Sequence, residues 1–449
     1  MHSSGSFSRR RFLKTTTASA LALPWFVPRL ISAPPSNRVL HASFGAGGMA
    51  RADLSELIKH PNVQLTAVAD VEPAKAADLK QKFPELRVYQ DWRQLLEKEK
   101  ELTSVNVSTP DHMHAAMGMS AMRHGLHVYG QKPLTHDIYE TRRLTEFARE
   151  KKLVTQMGIQ IHSSGEYRAA VRMVQEGVIG KIKEVHTWSS KKWGDTEAKP
   201  DRVDPIPAGF DWDLWLGVCA DRPFIGDGWY HPGNWRKRLD FGTGTFGDMG
   251  CHIYDPVFKA LALTAPLSVR SEGPSPNAHS WAVDAVIHYV FPGTQFTEGK
   301  TVKVTWYDGD QRPPKEIQSL VKPAVVSSER PWLPDQGSIF IGTKGVMLLP
   351  HIDRPKLFPV DQYAGMEKPK MERAHHWHQF VDAILGKDKT QANFDYAGPL
   401  TEAVLLGSVA TRFPHTTLQW NARKLTFDVK EANPFVRRTY RKGWEVKGL

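Results

Sequence analysis

Residues 247–252 read Gly-Asp-Met-Gly-Cys-His, and three of them, Asp248, Cys251 and His252, can handle protons or bind a metal. Asp248 and His252 are four apart, so on a helix they share one face. A carboxylate beside an imidazole can orient a general base, hold a metal in part, or open a helix with Asp248 as its cap. A metal needs further ligands. The His375-His376-Trp377-His378 cluster offers the right type, but adjacent histidines point about 100° apart on a helix. That stretch also reads as a separate, exposed amphipathic helix. No metal site is assigned. Cys219 and Cys251 have no zinc-ligand spacing and read as unpaired buried thiols, with Cys251 a packing residue.

An acid–base pair needs a partner reaction, and the first third of the chain offers one. Val39–Phe44 reads as a strand, followed by Gly45-Ala46-Gly47-Gly48-Met49-Ala50 and a helix from about Met49 to Lys59. This is G-x-G-x-x-A in the setting that gives it meaning. Gly45 allows the tight turn, Gly47 lets backbone N–H groups approach a pyrophosphate, and Ala50 lets helix and strand pack closely. Asp70 closes the next strand, Leu65–Asp70, where its carboxylate can accept both adenosine ribose hydroxyls and would repel a 2′-phosphate. NAD is therefore expected over NADP.

Strand and helix alternate onward: a strand at Val105–Thr109, a helix at His112–Gly125, a strand opening at His127, a helix at His136–Lys151 and a closing strand at Leu153–Gly158. The rhythm predicts a doubly wound parallel sheet with its ligand at the carboxyl edge. Thr109-Pro110 and Gln131-Lys132-Pro133 fall at that edge. His114 on the intervening helix, Gln131 and Lys132 join the glycine loop, Asp70, Thr109 and Pro110 in the expected cofactor-contact set. Lys132, fixed by the turn at Pro133, is expected to project an ammonium toward the crevice.

The chain has 449 residues, enough for two domains, and its 41% apolar and 24% charged content is that of a globular protein. The net charge of +11 is scattered and forms no nucleic-acid-binding stripe. Residues 1–36 stand apart. Ser8-Arg9-Arg10-Arg11-Phe12-Leu13-Lys14, followed by a short apolar run, matches a twin-arginine export signal and is too interrupted for a stable membrane span. The expected location is periplasmic. An exported nicotinamide enzyme would have to acquire its cofactor beforehand and hold it tightly.

Taken together, FGAGGMAR, AVAD, VSTPDHMH, HVYGQKPLT and GDMGCHIYD resemble the glucose–fructose oxidoreductase/inositol dehydrogenase (Gfo/Idh/MocA) family, in its order and over nearly the whole chain beyond the signal. The resemblance implies an α/β protein: an NAD-binding Rossmann domain, set at 37–157, and a C-terminal α+β domain at 158–449 with a large, mostly antiparallel open sheet. Strand-like runs at Lys183–Ser190, Ala282–Phe291, Thr301–Asp308, Ser338–Thr343 and Val346–Pro350 agree in outline. It further implies Lys132, Asp248 and His252 as the catalytic set, a carbohydrate substrate, and a homodimer or homotetramer. The family motif is Glu-Lys-Pro; Gln131 stands here in place of the glutamate. A neutral amide would position the ammonium more weakly than a carboxylate.

The expected activity is NAD-dependent oxidation of a secondary hydroxyl on a sugar, glycoside or polyol. His252 would be the base, with Lys132 stabilising the alkoxide and Asp248 orienting the histidine or holding a hydroxyl. A lysine base remains open. The alternative is an NAD-dependent glycoside hydrolase that oxidises transiently, eliminates and re-reduces. A non-catalytic dinucleotide sensor is a third class, opposed by the presence of all three side chains. The Trp-rich stretch from Lys191 to Arg238 can either stack on sugars or pin a long loop, and pinning is favoured.

Overall fold

The computed structural model describes residues 37–323 and 332–449. The export signal expected at 1–36 lies outside the described residues. The first sheet is built from β1 (Val39–Phe44), β2 (Val63–Ala69), β3 (Arg87–Tyr89), β4 (Ser104–Val107), β5 (His127–Gly130) and β6 (Thr155–Met157). All pairings are parallel and the order is β3-β2-β1-β4-β5-β6. The order reverses between β1 and β4, which opens a crevice at their carboxyl ends. Helices α1 (Gly48–Leu57), α2 (Ala77–Lys82), α3 (Trp92–Lys98), α4 (Asp111–Arg123) and α5 (Ile138–Lys151) connect the strands. Apolar side chains fill both faces, as a parallel sheet requires, with Ala42, Phe44, Val105 and Val107 buried at its centre. Helix α5 begins with a reciprocal capping box between Asp137 and Glu140.

Helix α6 (Gly165–Gln175) leads into β7 (Ile182–Ser189). A long irregular segment then carries only the short α7 (Trp212–Leu216) and a 3-10 turn at Asn234–Lys237, before α8 (Gly244–Leu261). Strands β8 (Ser268–Glu272), β9 (Val286–Pro292) and β10 (Thr301–Asp308) follow. Next come α9 (Lys315–Ser319), β11 (Gln336–Gly342), β12 (Val346–Pro350) and β13 (Lys356–Phe358). Helices α10 (His376–Ile384) and α11 (Phe394–Ala410) precede β14 (Thr417–Asn421) and β15 (Thr426–Phe427). The second sheet runs β13-β12-β11-β7-β10-β9-β8-β14-β15 and is antiparallel except for the β7–β10 pair. The fold is therefore α/β, a parallel Rossmann sheet with a mostly antiparallel second sheet.

Two sequence expectations are corrected. Helix α8 begins at Gly244 with Thr243 as N-cap residue, so Asp248 does not cap it and stands inside the helix. The early start needs small residues: a Cβ on Gly247 would lie 2.0 Å from the Thr243 hydroxyl, and one on Gly250 2.8 Å from the Phe246 ring. The histidine-rich helix α10 is also not a free exposed helix. Phe380 and Val381 are buried with Val39, Leu57 and Tyr129 against the first sheet. His376 is buried, its Nε2 donating to the Met157 carbonyl at 2.9 Å and its Nδ1 2.8 Å from the Ser163 hydroxyl. Among the described residues no helix is long and apolar enough to cross a membrane.

Candidate active site

At the crevice, Gly45 takes φ +101°, and a Cβ there would lie 2.6 Å from the Ser108 carbonyl oxygen. The turn between β1 and α1 is therefore closed to any other residue. Gly47 is the N-cap residue of α1 and makes no side-chain cap, leaving the first-turn N–H groups for a ligand. Asp70 follows β2. One carboxylate oxygen accepts from the Ala46 N–H at 2.8 Å, the other from Glu72 N–H at 3.0 Å. Burial raises its pKa, and these two donors work against the rise. A cavity of about 290 Å³ runs along this edge, lined by Gly45, Gly47, Gly48, Met49, Asp70, Thr109 and Pro110. A glycine cradle at a helix N-terminus, ending in a carboxylate, fits a dinucleotide with free ribose hydroxyls.

Four of the expected cofactor contacts lie elsewhere. Ala46 is buried behind the loop; its N–H donates to Asp70 and its carbonyl accepts from Arg51 Nε at 3.2 Å. His114 turns inward from α4, with its ring nitrogens 2.7 Å from the Pro133 carbonyl and 2.8 Å from the Thr109 carbonyl. It ties the two strand-end turns together from beneath. Gln131 is buried, and its amide donates to both oxygens of Asp53 at 3.1 and 2.9 Å. It does not accept from the Lys132 ammonium. Lys132 does not line the cavity either; it reaches across to α8.

There its Nζ donates to Asp248 Oδ1 at 2.6 Å and to the Asp248 carbonyl at 2.8 Å. Both side chains are mostly buried, at 15% and 14% exposure. The aspartate, not Gln131, is the lysine's charge partner. Burial pushes the Asp248 carboxyl upward, but Lys132, Arg236 and His252 outweigh it and hold the pKa at about 2. His252 is one turn further along α8. Its Nδ1 is buried without a partner among the described residues, and burial, then Lys132, keeps the ring well below the ordinary histidine range. The imidazole is therefore neutral at neutral pH and able to accept a proton.

Three neighbours were not legible in the sequence. Asp111, at the start of α4, is buried and accepts from the Thr243 hydroxyl at 2.8 Å. Burial drives its carboxyl up to about 7, against the pull of Thr243, Arg236 and Lys132. Arg236 lines the cavity and places Nε 3.5 Å from Asp248 Oδ1, linking the cavity to the Lys132–Asp248 pair. His351, just after β12, sets its ring 5.9 Å from that of His252, and burial lowers it to about 4. Cys251 is buried, and burial pushes its thiol up to about 12; both cysteines are free. Among the described residues no group of three His, Cys, Asp or Glu side chains could hold a metal ion.

The segment between β7 and α8 roofs the cavity. Trp212, Trp215, Trp229 and Trp235 are buried, and the Trp212 and Trp215 rings stack at 4.9 Å. They are continuous with the main hydrophobic core, which pins the loop, while Trp215 and Trp235 also line the cavity. The roof docks on the first sheet through Asp211 N–H to the Val71 carbonyl (3.0 Å) and His112 to the Trp215 carbonyl (2.8 Å). Residues beyond β15 fasten it. Arg438 donates to Cys219 Sγ and the Asp240 carbonyl, each at 3.1 Å, while its own N–H reaches Asp137 at 3.1 Å. Arg441 grips Asp213 at 2.6 Å and the Gly217 carbonyl at 3.0 Å.

Residues 41–159 match the oxidoreductase family GFO_IDH_MocA, described as an NAD-binding Rossmann fold. Residues 168–310 match its C-terminal alpha/beta domain, so the two together take in more than half of the chain. The levoglucosan dehydrogenase of Pseudarthrobacter phenanthrenivorans is 23% identical over 189 residues, 42% of this chain and 40% of that protein. A dTDP-3,4-didehydro-2,6-dideoxy-alpha-D-glucose 3-reductase of Actinomadura kijaniata is 31% identical over 188 residues, 39% of this chain and 54% of that one. The chain thus spans about half the length of these relatives. A solved levoglucosan dehydrogenase in complex with NADH and levoglucosan superposes with a TM-score of 0.58 at 15% identity, over 83% of this chain and 97% of that one.

Proposed function

With the chain belonging to the GFO_IDH_MocA oxidoreductase family, we propose that it oxidises a secondary hydroxyl of a sugar, glycoside or polyol with NAD. The observation that carries the reading is the Lys132 ammonium, 2.6 Å from Asp248 Oδ1, with His252 one helical turn away. When bound, NAD supplies the hydride acceptor. Gly45, Gly47, Gly48, Met49, Asp70, Thr109 and Pro110 are the residues to hold it. His252, neutral and short of a partner on one nitrogen, takes the hydroxyl proton. Lys132 sets its charge against the oxygen as negative charge develops there. Asp248 keeps that ammonium in place and, by its charge, makes His252 a better base than burial alone would leave it.

The relatives support the substrate class, since their names state action on levoglucosan and on a dTDP-linked didehydro-dideoxy-glucose. The arginine-rich Ser8–Lys14 segment supports twin-arginine export to the periplasm, and the fastened roof supports tight retention of the cofactor. The open second sheet supports assembly as a homodimer or homotetramer. The test is to purify the exported protein, denature it, and measure released nicotinamide by its absorbance. The holoprotein is then given polyols, sugars and glycosides. A keto-sugar or reduced cofactor is expected. Free sugar released from glycosides without net reduction would transfer the reading to the NAD-dependent glycosidase. No nicotinamide in the exported protein would overturn tight retention.

A further inference from the structure

The charges around the Lys132–Asp248 pair do not balance. Asp248 is one carboxylate shared by two cations, Lys132 at 2.6 Å and Arg236 at 3.5 Å. Of the other groups only Asp111 offsets part of the surplus. His252 and His351 are neutral at neutral pH, and Asp111 is a buried carboxyl titrating near 7. Positive charge is therefore left over where the cavity meets the pair.

Arg236 is the part of that surplus that lines the cavity, and it is firmly held. It sits in the 3-10 turn Asn234–Lys237, which is pinned by the Trp235 N–H to the Tyr230 carbonyl at 2.7 Å. Gly242 lets the chain pass close by: a Cβ there would lie 2.5 Å from the Arg236 Cα. The guanidinium lies 4.3 Å from the Trp235 ring and 5.4 Å from that of Trp193. Its only other acceptor among the described residues is the Gly233 carbonyl, at 3.5 Å from Nη1. A planar fork of donors, oriented by two indoles and lining a cavity, is a seat for an oxyanion. A pyrophosphate would have its own seat at the uncapped helix start after the glycine turn.

We infer that Arg236 receives an oxyanion carried by the substrate, so that the enzyme acts on acidic sugars, bearing a carboxylate or a phosphate ester close to the oxidised hydroxyl. The inference rests on the dehydrogenase reading and names its substrate class. The Trp193 and Trp235 rings beside the guanidinium give a direct readout, because an anion seated there alters their fluorescence.

The experiment first reduces the bound nicotinamide, so that no alcohol can be oxidised, and then titrates the holoprotein with D-glucuronate, D-glucose 6-phosphate and D-glucose, following tryptophan fluorescence and, independently, heat of binding. At least one acidic sugar is expected to bind about tenfold to 100-fold tighter than glucose, the range of a hydrogen-bonded charge. The winning arm tells carboxylate from phosphate. Arg236→Gln is expected to abolish the preference by weakening the acidic sugars toward the affinity of glucose, and Arg236→Lys to restore part of it. Thermal melting checks that both variants fold. Equal affinity for all three sugars, or a preference that survives Arg236→Gln, overturns the inference. So does loss of nicotinamide from Arg236→Gln with the sugar preference unchanged, which would assign the arginine to the cofactor. Because binding is read without turnover, failure of the dehydrogenase reading would show separately, as absence of cofactor reduction with every alcohol.

Discussion

Gln131 and Asp53 face each other in the buried space between β5 and α1, the Gln131 amide donating to both carboxylate oxygens of Asp53 at 3.1 and 2.9 Å. Ser108 (2.7 Å) and Trp377 (2.9 Å) complete the shell around that carboxylate. Where the family pattern has a glutamate at position 131, the buried carboxyl here is Asp53 on the facing helix; burial raises its pKa, and Trp377, Gln131 and Ser108 work against the rise.

Restoring the family's Glu-Lys-Pro motif should therefore harm this chain. Gln131→Glu sets two buried carboxyls against each other, and a loss of about 2 kcal/mol or more at neutral pH is expected in chemical denaturation. Adding Asp53→Asn should recover most of it, with the pair non-additive in a double-mutant cycle. Additive effects would mean that the two side chains do not communicate.

The pH–rate profile follows from His252. Its ring is held well below the ordinary histidine range, with burial and Lys132 as the leading causes. The acid limb of kcat/KM is expected below pH 6.5, with a plateau through neutrality. Lys132→Met removes one lowering influence, so the limb should move up as the rate falls about 100-fold or more. His252→Ala should erase the limb. A limb that stays in place in Lys132→Met would refute the assigned coupling.

Asp111 makes stability depend on pH. Its carboxyl rises from 3.8 to about 7 in the folded chain, so the folded state binds the proton more tightly than the unfolded state. Stability from this group is fully present below pH 4 and is withdrawn as pH climbs from about 4 to about 7. By linkage the withdrawal is about 4 kcal/mol. Asp111→Asn keeps an acceptor for Thr243 and removes the titration. The difference in unfolding free energy between variant and wild type should grow across that window and level off above it.

Arg438 and Arg441 should govern retention of the dinucleotide. Each bonds the roof, and Arg438 also bonds Asp137 at the start of α5. The double variant Arg438→Ala/Arg441→Ala is expected to lose nicotinamide on gel filtration at least tenfold faster than wild type. Arg441→Lys, which keeps the ion pair to Asp213, should lie between. Unchanged release would remove the fastening role.

Legibility in the sequence followed the reach of local rules. Gly45, Gly47 and Asp70 stand where the motif sets them, because a tight turn, a helix start and a strand end are each fixed by neighbouring residues. Asp248 and His252 share a face because four residues on a helix always do. The direction of the His114 ring is not legible for the same local reason: its position next to the strand-end turn does not set which way it points, and it turns toward the Pro133 and Thr109 carbonyls. Arg236, Asp111 and His351 were invisible because they converge from an aperiodic roof, a helix start and a strand end. The start of α8 is not legible locally because Thr243, Thr245 and Asp248 are all capping residue types, and the close packing of Gly247 on Thr243 fits the start at Gly244.

The fastening of the roof by Arg438 and Arg441 bears on how the protein comes to be loaded. Synthesis proceeds in order, so both arginines emerge after the glycine turn, Asp70 and the roof have all been made. The residues of the dinucleotide's seat are therefore made before those of the clasp that fastens the roof. Cofactor capture and final closure become two events in time, and a protein that crosses a membrane folded must complete both before it leaves.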